Sequence, residues 1–396
     1  MRKLLLATAA TLAATSAFAD GHSPAKIGVV LGFTGPLESL APTMAAGAEM
    51  AMSEVNDSGL LLDGVTVEPV RADSTCIDAA AATSATERLI TGDGVVGIMG
   101  ADCSGVTGAM LSNVAMPNGI VMISPSATSP GLTTAEDNGL FFRTAPSDAR
   151  QGEIITDILQ ENDISEVALT YTNNDYGKGL ADAIQANFEE AGGTVTISAA
   201  HEDGKADYSA EVGALSAAGG ELLVVAGYVD QGGSGIVRAA LDTGAFDRFY
   251  FPDGMVSQAL EDNFGSEIDG SYGANPGTDS PGAQLYQDMA SEADYDGTQP
   301  FSAESYDAAA LIMLAMQKAG STDPQVYKDA VMDVANAPGE EILPGELGKA
   351  LQILADGGDV DYIGASAVEL IGPGESAGNY RQITFTDGTL EVVGYR

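Results

Sequence analysis

The sequence predicts an α/β protein made of two lobes of similar design, each a mostly parallel sheet with helices on both faces. Three observations carry that prediction. Short apolar runs that read as buried strands alternate with helical patterns along most of the 396 residues. The alternation restarts after Arg143-Thr144-Ala145-Pro146 and yields a second series about as long as the first. No Ser/Gly tract or charge run separates the two series, so short hinge strands are expected there, not a flexible linker.

The elements follow in order. Ile27-Gly28-Val29-Val30-Leu31 is a continuous apolar run, the pattern of a strand buried on both faces. Ala45, Ala48, Met52 and Val55 share one helical face within 44–55. Strand 65–70, helix 79–90, strand 95–99, helix 107–116 and strand 120–123 come next, a βαβ succession that right-handed crossovers wind into a parallel sheet. The second series reads helix 150–160, strand 167–171, helix 179–190, strand 195–198, a helix near 208–218, strand 222–226, helix 236–241 and strand 249–251. After Gly270-Ser271-Tyr272-Gly273 the pattern turns mostly helical, over 283–290, 303–319, 324–334 and 347–354. A hairpin of 383–386 and 390–393, turned by Asp387-Gly388, ends the chain. The expected division is lobe I over 24–144 with 273–371 and lobe II over 145–272 with 372–396. The carboxyl ends of both sheets then face one cleft, the place where open α/β sheets bind ligands.

Composition removes several functional classes. Against 16 Lys+Arg stand 57 Asp+Glu, a formal charge of −41, so nucleic acid and anionic bilayers are repelled. A hydrophobic content of 45% is too high for an acidic disordered tail. With 2 His and 2 Cys, neither a zinc cluster nor a multi-disulfide scaffold is expected, and no metal or cofactor is assigned. Arg2 and Lys3, the apolar stretch from Leu4 to Leu12 and the small-x-small pattern Ala17-Phe18-Ala19 read as a signal peptide over residues 1–19. Export makes the environment oxidising, and Cys76 and Cys103, each following a predicted strand, are expected to form a disulfide; the alternative is two buried thiols.

Catalytic signatures are missing. Gly92-Asp93-Gly94-Val95-Val96-Gly97 spells GxGxxG, but it precedes a strand instead of joining a strand to a helix. No phosphate loop, HExxH or GxSxG elbow occurs. His22 and His201 have no partner for base catalysis and are expected in solvent. An enzyme is therefore not expected.

Polar residues instead gather at strand ends. Gly100-Ala101-Asp102-Cys103-Ser104 follows one strand and opens a helix, and Ser124-Pro125-Ser126-Ala127-Thr128-Ser129-Pro130 follows the next. Hydroxyls and N–H groups at such positions suit a carboxylate. Opposite them, Asn173-Asn174-Asp175-Tyr176-Gly177, Gly227-Tyr228 and Phe251-Pro252-Asp253-Gly254 end three strands of the second series. An acid with two tyrosines suits an ammonium group.

With these motifs the chain resembles the periplasmic substrate-binding proteins of branched-chain (hydrophobic) amino acid ABC transporters, the leucine/isoleucine/valine-binding group. The resemblance covers essentially the whole predicted mature chain. It is densest from Val95 to Gly193, through Ile123-Ser124-Pro125-Ser126-Ala127-Thr128, Phe142-Arg143-Thr144-Ala145-Pro146-Ser147-Asp148 and Asp175-Tyr176-Gly177-Lys178-Gly179. It implies the type I periplasmic binding fold: two Rossmann-like lobes joined by a three-crossover hinge, with the ligand in the interlobe cleft. It also implies a monomer in the periplasm, a small amino-acid-like ligand and an ABC permease in the inner membrane as partner. By position, Ser104 and Thr128 would take the ligand α-carboxylate, with Ser126 contributing backbone groups and Ala127 beside it. Asp253 would take the α-amino group, flanked by Tyr228 and Tyr176. The loop from Leu37 to Leu40 would touch the ligand side chain, with Glu38 in that loop and Tyr306 as a further wall. The pairing of Cys76 with Cys103 also fits the family. This chain departs from leucine binders at Ser126, where they tend to have Ala, at Asp253, where they often have Glu, and in having no Trp in the first loop. Relatives of the family take up amides, urea or aromatic acids, or serve as sensors, and these are the alternative roles.

Overall fold

The computed structural model describes residues 23–396; the predicted signal segment and His22 lie outside them. In chain order the strands are β1 (Ala25–Leu31), β2 (Val67–Asp73), β3 (Gly97–Gly100), β4 (Met122–Ser124) and β5 (Phe141–Pro146), then β6 (Glu166–Thr172), β7 (Thr194–His201), β8 (Leu222–Ala226), β9 (Phe249–Phe251) and β10 (Tyr272–Pro276). A small parallel ribbon, β11 (Glu340–Ile342) with β12 (Val360–Tyr362), precedes β13 (Leu370–Ile371), β14 (Glu375–Ser376), β15 (Tyr380–Thr386) and β16 (Thr389–Tyr395). Two seven-stranded sheets result, ordered β13-β14-β5-β4-β3-β1-β2 and β16-β15-β10-β9-β8-β6-β7.

The first five strands of each sheet repeat one pattern. Counted within each lobe, both read 2-1-3-4-5 and run parallel, the doubly wound order whose direction reverses between the first and third strands. The central strands are apolar runs buried on both faces, as in Leu222–Ala226, where every residue is buried. Each sheet is finished by chain that arrives late. β14 adds parallel to β5, and β15 adds antiparallel to β10. The chain therefore crosses between the sheets after β5, after β10 and between β14 and β15. The later two crossings fall a few residues beyond positions 273 and 371, because β10 still belongs to the second sheet and β14 to the first.

Several elements exceed or escape the sequence pattern. β5 is a full strand despite its central Arg143, which is 1% exposed and held by the carboxylate of Glu375 and by the carbonyls of Ala127 and Ser129, each at 2.9 Å. β10 escapes because Tyr-Gly-Ala-Asn-Pro has no apolar run; its place is set by pairing to β9 and β15. The helix expected over 324–334 is broken into Pro324–Tyr327 and Ala330–Ala335.

Lobe I is organised around the helix Ser302–Ala319, which is buried around its whole circumference. Leu311, Ile312, Met313 and Leu314 are fully buried, and each contributes roughly 1.5–3 kcal/mol of transfer free energy. The helix lies against β3 to β5 and against the helix Ala41–Ser58. That second contact is close because Gly47 offers no side chain: a Cβ there would sit 2.4 Å from the Ser302 carbonyl. Cys76 and Cys103 form a disulfide across the ends of β2 and β3, with Cα atoms 5.2 Å apart.

Buried acids accompany this core. Burial pushes Glu304 on the central helix up to about 7 and Asp253 up to about 6. Burial, with the charge of Asp253 added, raises Asp148 well above the usual carboxylate range. Such an acid binds its proton more tightly in the folded chain, so its stabilising contribution is complete near pH 4 and is lost as pH rises through the folded value. His201, lowered by burial to about 4, acts the other way between its ordinary value and pH 4, but it is one group against three.

Two predictions follow from this arrangement. Ligand-free protein should melt several degrees higher at pH 5 than at pH 8 in calorimetry, and Glu304→Gln should flatten the profile above pH 6; a melting temperature that climbs from pH 5 to 8 contradicts the balance. Removing the disulfide, which closes a 27-residue separation, should cost roughly 3–4 kcal/mol in the chain-entropy description. A Cys76→Ser/Cys103→Ser variant should accordingly melt about 5–15 °C lower, at the scale of ~2–4 °C per kcal/mol for a domain of this size.

Candidate functional site

The two points at which strand order reverses face each other across the gap between the lobes, and the loops leaving those strands build the site. From lobe I, the turn after β3 carries Asp102 and Cys103 into the helix Ser104–Met110, and the turn after β4 carries Ser126, Ala127 and Thr128. Asp102 is spent on structure: its carboxylate accepts from the Gly32 N–H at 2.7 Å, the Ser74 hydroxyl at 3.1 Å and the Cys103 N–H at 3.0 Å, tying three loops together. The Ser124 hydroxyl accepts from the Ala127 N–H at 2.9 Å and so sets the bend that presents 126–128. Ser104 Oγ accepts from the Ser129 N–H at 3.1 Å, and Ser126 Oγ donates to the Asp102 carbonyl at 3.0 Å.

From lobe II, β6 runs into the helix Asp175–Glu190 through Asn174, whose side chain caps the helix by accepting from the Gly177 N–H at 3.0 Å. This fixes Tyr176 in the first turn, stacked on Tyr228 with ring centroids 5.1 Å apart. The Tyr176 hydroxyl donates to Asp253 Oδ1 at 2.7 Å, and the Gly254 N–H donates to the same oxygen at 2.8 Å. One oxygen of Asp253 is thus doubly held, whereas Oδ2 is buried with no partner. Burial raises Tyr176 well above its ordinary value, and the charge of Asp253 adds to it, so the phenol stays a donor. Gly254 admits this geometry because a Cβ there would lie 2.7 Å from the Gly227 carbonyl and 2.8 Å from the Tyr176 hydroxyl.

The lobes are closed on one another. Ser39 N–H donates to Asp230 Oδ2 at 2.8 Å, and the Asp230 N–H donates to the Pro36 carbonyl at 3.2 Å. On the other side of the mouth Gly179 lies against Pro130, where a Cβ would meet the ring at 2.8 Å. Between them lies a small cavity. Leu37, Asp102, Cys103, Ser104, Ser126 and Phe301 line one wall, and Tyr176, Tyr228, Asp253 and Gly254 the other.

Of the residues expected from sequence, Ser104, Ser126, Tyr176, Tyr228 and Asp253 come together at this cavity. Ala127 and Thr128, which follow Ser126 in the same turn, are buried but do not line it. Glu38 is not brought in: it is exposed on the outer face of its loop, while its neighbour Leu37 faces inward. Nor is Tyr306, a fully buried side chain whose hydroxyl is engaged by Glu54 and whose ring packs on Tyr286. The aromatic that this segment brings to the cavity is Phe301, five residues earlier, held in the left-handed region at φ 63° at the start of the long helix. Its only sequence signal was an aromatic at the N-terminal edge of that helix. His201 corrects another expectation: β7 extends to it, and it is 1% exposed, with Nδ1 2.9 Å from Thr170 Oγ1. Arg150 makes an exposed pair with Glu153 at 2.7 Å. Among the described residues no cluster of His, Cys, Asp and Glu could hold a metal ion, and no helix is long and apolar enough to cross a membrane.

Comparison with known proteins places this architecture. The periplasmic binding protein family profile matches residues 24–340. A Leu/Ile/Val-binding protein homolog from Brucella melitensis biotype 1 is 30% identical over 324 residues, 81% of this chain and 86% of the relative. A leucine binding protein from Thermotoga maritima superposes with a TM-score of 0.78 at 21% identity, covering 94% of this chain and 98% of the other. A solute binding protein of an ABC transporter from R. palustris, solved with benzoate, superposes with a TM-score of 0.75 at 17% identity, covering 94% and 96%. Two doubly wound lobes, three crossings and a cavity between the reversal points, together with a family match over most of the length, lead to one statement: the chain belongs to the periplasmic binding protein family.

Proposed function

We propose that this chain is the solute-binding component of an ABC importer, capturing a hydrophobic amino acid or a related zwitterion between its lobes and presenting it to a permease. The observation that carries the reading is the state of Asp253. One carboxylate oxygen is immobilised by Tyr176 and Gly254, and the other is left unpartnered at the cavity wall. An ammonium group satisfies such an oxygen through a charge-assisted hydrogen bond, and the stacked pair of Tyr176 and Tyr228 adds a π face.

The opposite wall suits the other end of a zwitterion. Ser104, Thr128 and the backbone of Ser126 and Ala127 offer neutral hydrogen-bonding groups to an α-carboxylate, with the N-terminus of the helix Ser104–Met110 behind them. Leu37 and Phe301 then enclose the solute side chain. Closure removes water from both charged ends and strengthens their contacts with the protein. The relative's description as a Leu/Ile/Val-binding homolog points to the same chemistry. A benzoate-like solute fits less well, because it brings no positive charge to Asp253. Nothing in the site supplies an activated nucleophile, which favours binding over turnover. Export to the periplasm follows from the predicted signal peptide, and a monomer is sufficient because one chain contains both walls.

Calorimetry across aliphatic amino acids, amides and organic acids tests the reading, with amino acids expected to bind and the others not. Asp253→Ala should weaken amino-acid binding by about 1.5–3 kcal/mol, the worth of a charged hydrogen bond; an unchanged Kd would remove Asp253 from the site. Phe301→Ala should shift preference toward bulkier side chains, read as a fall in the Kd for leucine relative to that for alanine.

A further inference from the structure

A second small cavity lies where the crossings between the lobes come together. It has one lining residue, Phe301, in common with the solute cavity, and its other walls come from both lobes. Gly277 and Thr278, just past β10, belong to it, as do Arg381 near the start of β15 and Glu304, three residues after Phe301. The Gly277 N–H donates to the Asn379 carbonyl at 3.0 Å, and the Thr144 hydroxyl of β5 donates to the Glu304 carbonyl at 2.8 Å. All three crossings therefore meet at this chamber.

Two charged side chains line it without partners. Arg381 Nε donates to Asn275 Oδ1 at 2.9 Å, but among the described residues its terminal nitrogens bond to nothing and no carboxylate pairs with it. The Glu304 carboxyl, on a residue only 3% exposed, has no hydrogen-bond or ion-pair partner among the described residues either. The nearby acids are already engaged. Asp296 accepts from the Thr298 hydroxyl at 2.6 Å and the Gln299 amide at 2.7 Å, and Asp307 accepts from the Tyr362 and Ser366 hydroxyls at 2.7 and 2.6 Å. A guanidinium is a planar fork of N–H donors with no acceptor, shaped for a carboxylate. In a chain of 57 acids and 16 basic residues, a fork left open inside the protein is not for want of acids.

We propose that this chamber is a second binding site, for a small carboxylate anion held between the terminal nitrogens of Arg381 and the Glu304 carboxyl. Glu304 takes part as a proton donor. Burial holds it up to about 7, and an anion beside it favours the protonated form further. The other titratable groups facing the pair are Asp307 on the same helix, Asp296 in the loop before it and Tyr395 on β16. An anion and a proton entering together add no net charge, so the acidic surroundings do not oppose them. The inference concerns a different cavity from the solute site and does not depend on the amino-acid reading.

Titration calorimetry of the solute-stripped protein with sodium formate, at ionic strength held constant with sodium sulfate, tests the site. A saturable one-site isotherm is expected at pH 6, with a Kd about tenfold weaker at pH 8, the factor by which an acid titrating near 7 loses its proton across that range. Arg381→Gln should weaken formate binding at least tenfold. Glu304→Gln keeps a neutral donor in place, so it should bind formate at pH 6 within about threefold of wild type and bind equally well at pH 8. A merely structural acid would not transfer its pH dependence in this way, and Glu304→Gln decides the matter alone if Arg381→Gln does not fold. No isotherm at pH 6 overturns the site and leaves a chamber for water only. Formate binding that survives Arg381→Gln places the anion elsewhere, the solute cavity included, and overturns it as well. So does a wild-type Kd that is the same at pH 6 and pH 8, or neutral formamide binding as tightly as formate.

Discussion

One buried guanidinium holds together the parts on which the site depends. Arg143 sits in β5, at the first crossing between the lobes, with 1% of its surface exposed. It donates to the carbonyls of Ala127 and Ser129, to Thr133 Oγ1 at 2.7 Å and to the carboxylate of Glu375. Those partners belong to the loop that forms the lobe I wall of the cavity and to β14, the strand that leads into the last crossing. A single side chain therefore fixes the shape of a binding loop and the spacing of two hinge strands. Removing one partner of such a buried pair leaves the other uncompensated, which costs about 3–5 kcal/mol. In a chain of 16 basic and 57 acidic residues, spending an arginine here marks how much the arrangement requires it.

The duplication of the 2-1-3-4-5 order explains why there is a site at all. Each sheet alone offers one reversal point, a shallow crevice at the carboxyl ends of its strands. Three crossings bring two such crevices face to face, and closure turns them into an enclosed volume. The walls are chemically unequal. Lobe I presents hydroxyls and backbone groups from turns after β3 and β4, and its one local acid, Asp102, is saturated by its own loops. Lobe II presents tyrosines and unsatisfied carboxylates.

The strand and helix alternation was legible because the central strands are uninterrupted apolar runs, and their ends pointed directly to Ser104, Ser126, Tyr176, Tyr228 and Asp253. What escaped was whatever is fixed by pairing and not by pattern. β10, β13 and β14 are short or polar and exist because a neighbouring strand edge accepts them. Glu38 and Tyr306 stay off the cavity lining for a related reason: they sit on neighbouring stretches of chain, but which face turns inward is decided by packing of distant segments. Leu37 turns in where Glu38 turns out, and Phe301 takes the place at the cavity while Tyr306 is held by Glu54.

The contact of Gly179 with Pro130 lies outside the cavity lining and has no side chain on one face. A two-lobed binder holds its solute with an apparent affinity scaled by the fraction of molecules able to close. The binding constant of this chain is therefore written partly in a residue that never meets the solute. A lineage can retune its affinity by adding a methyl group at the rim, while the recognition chemistry inside stays as it is.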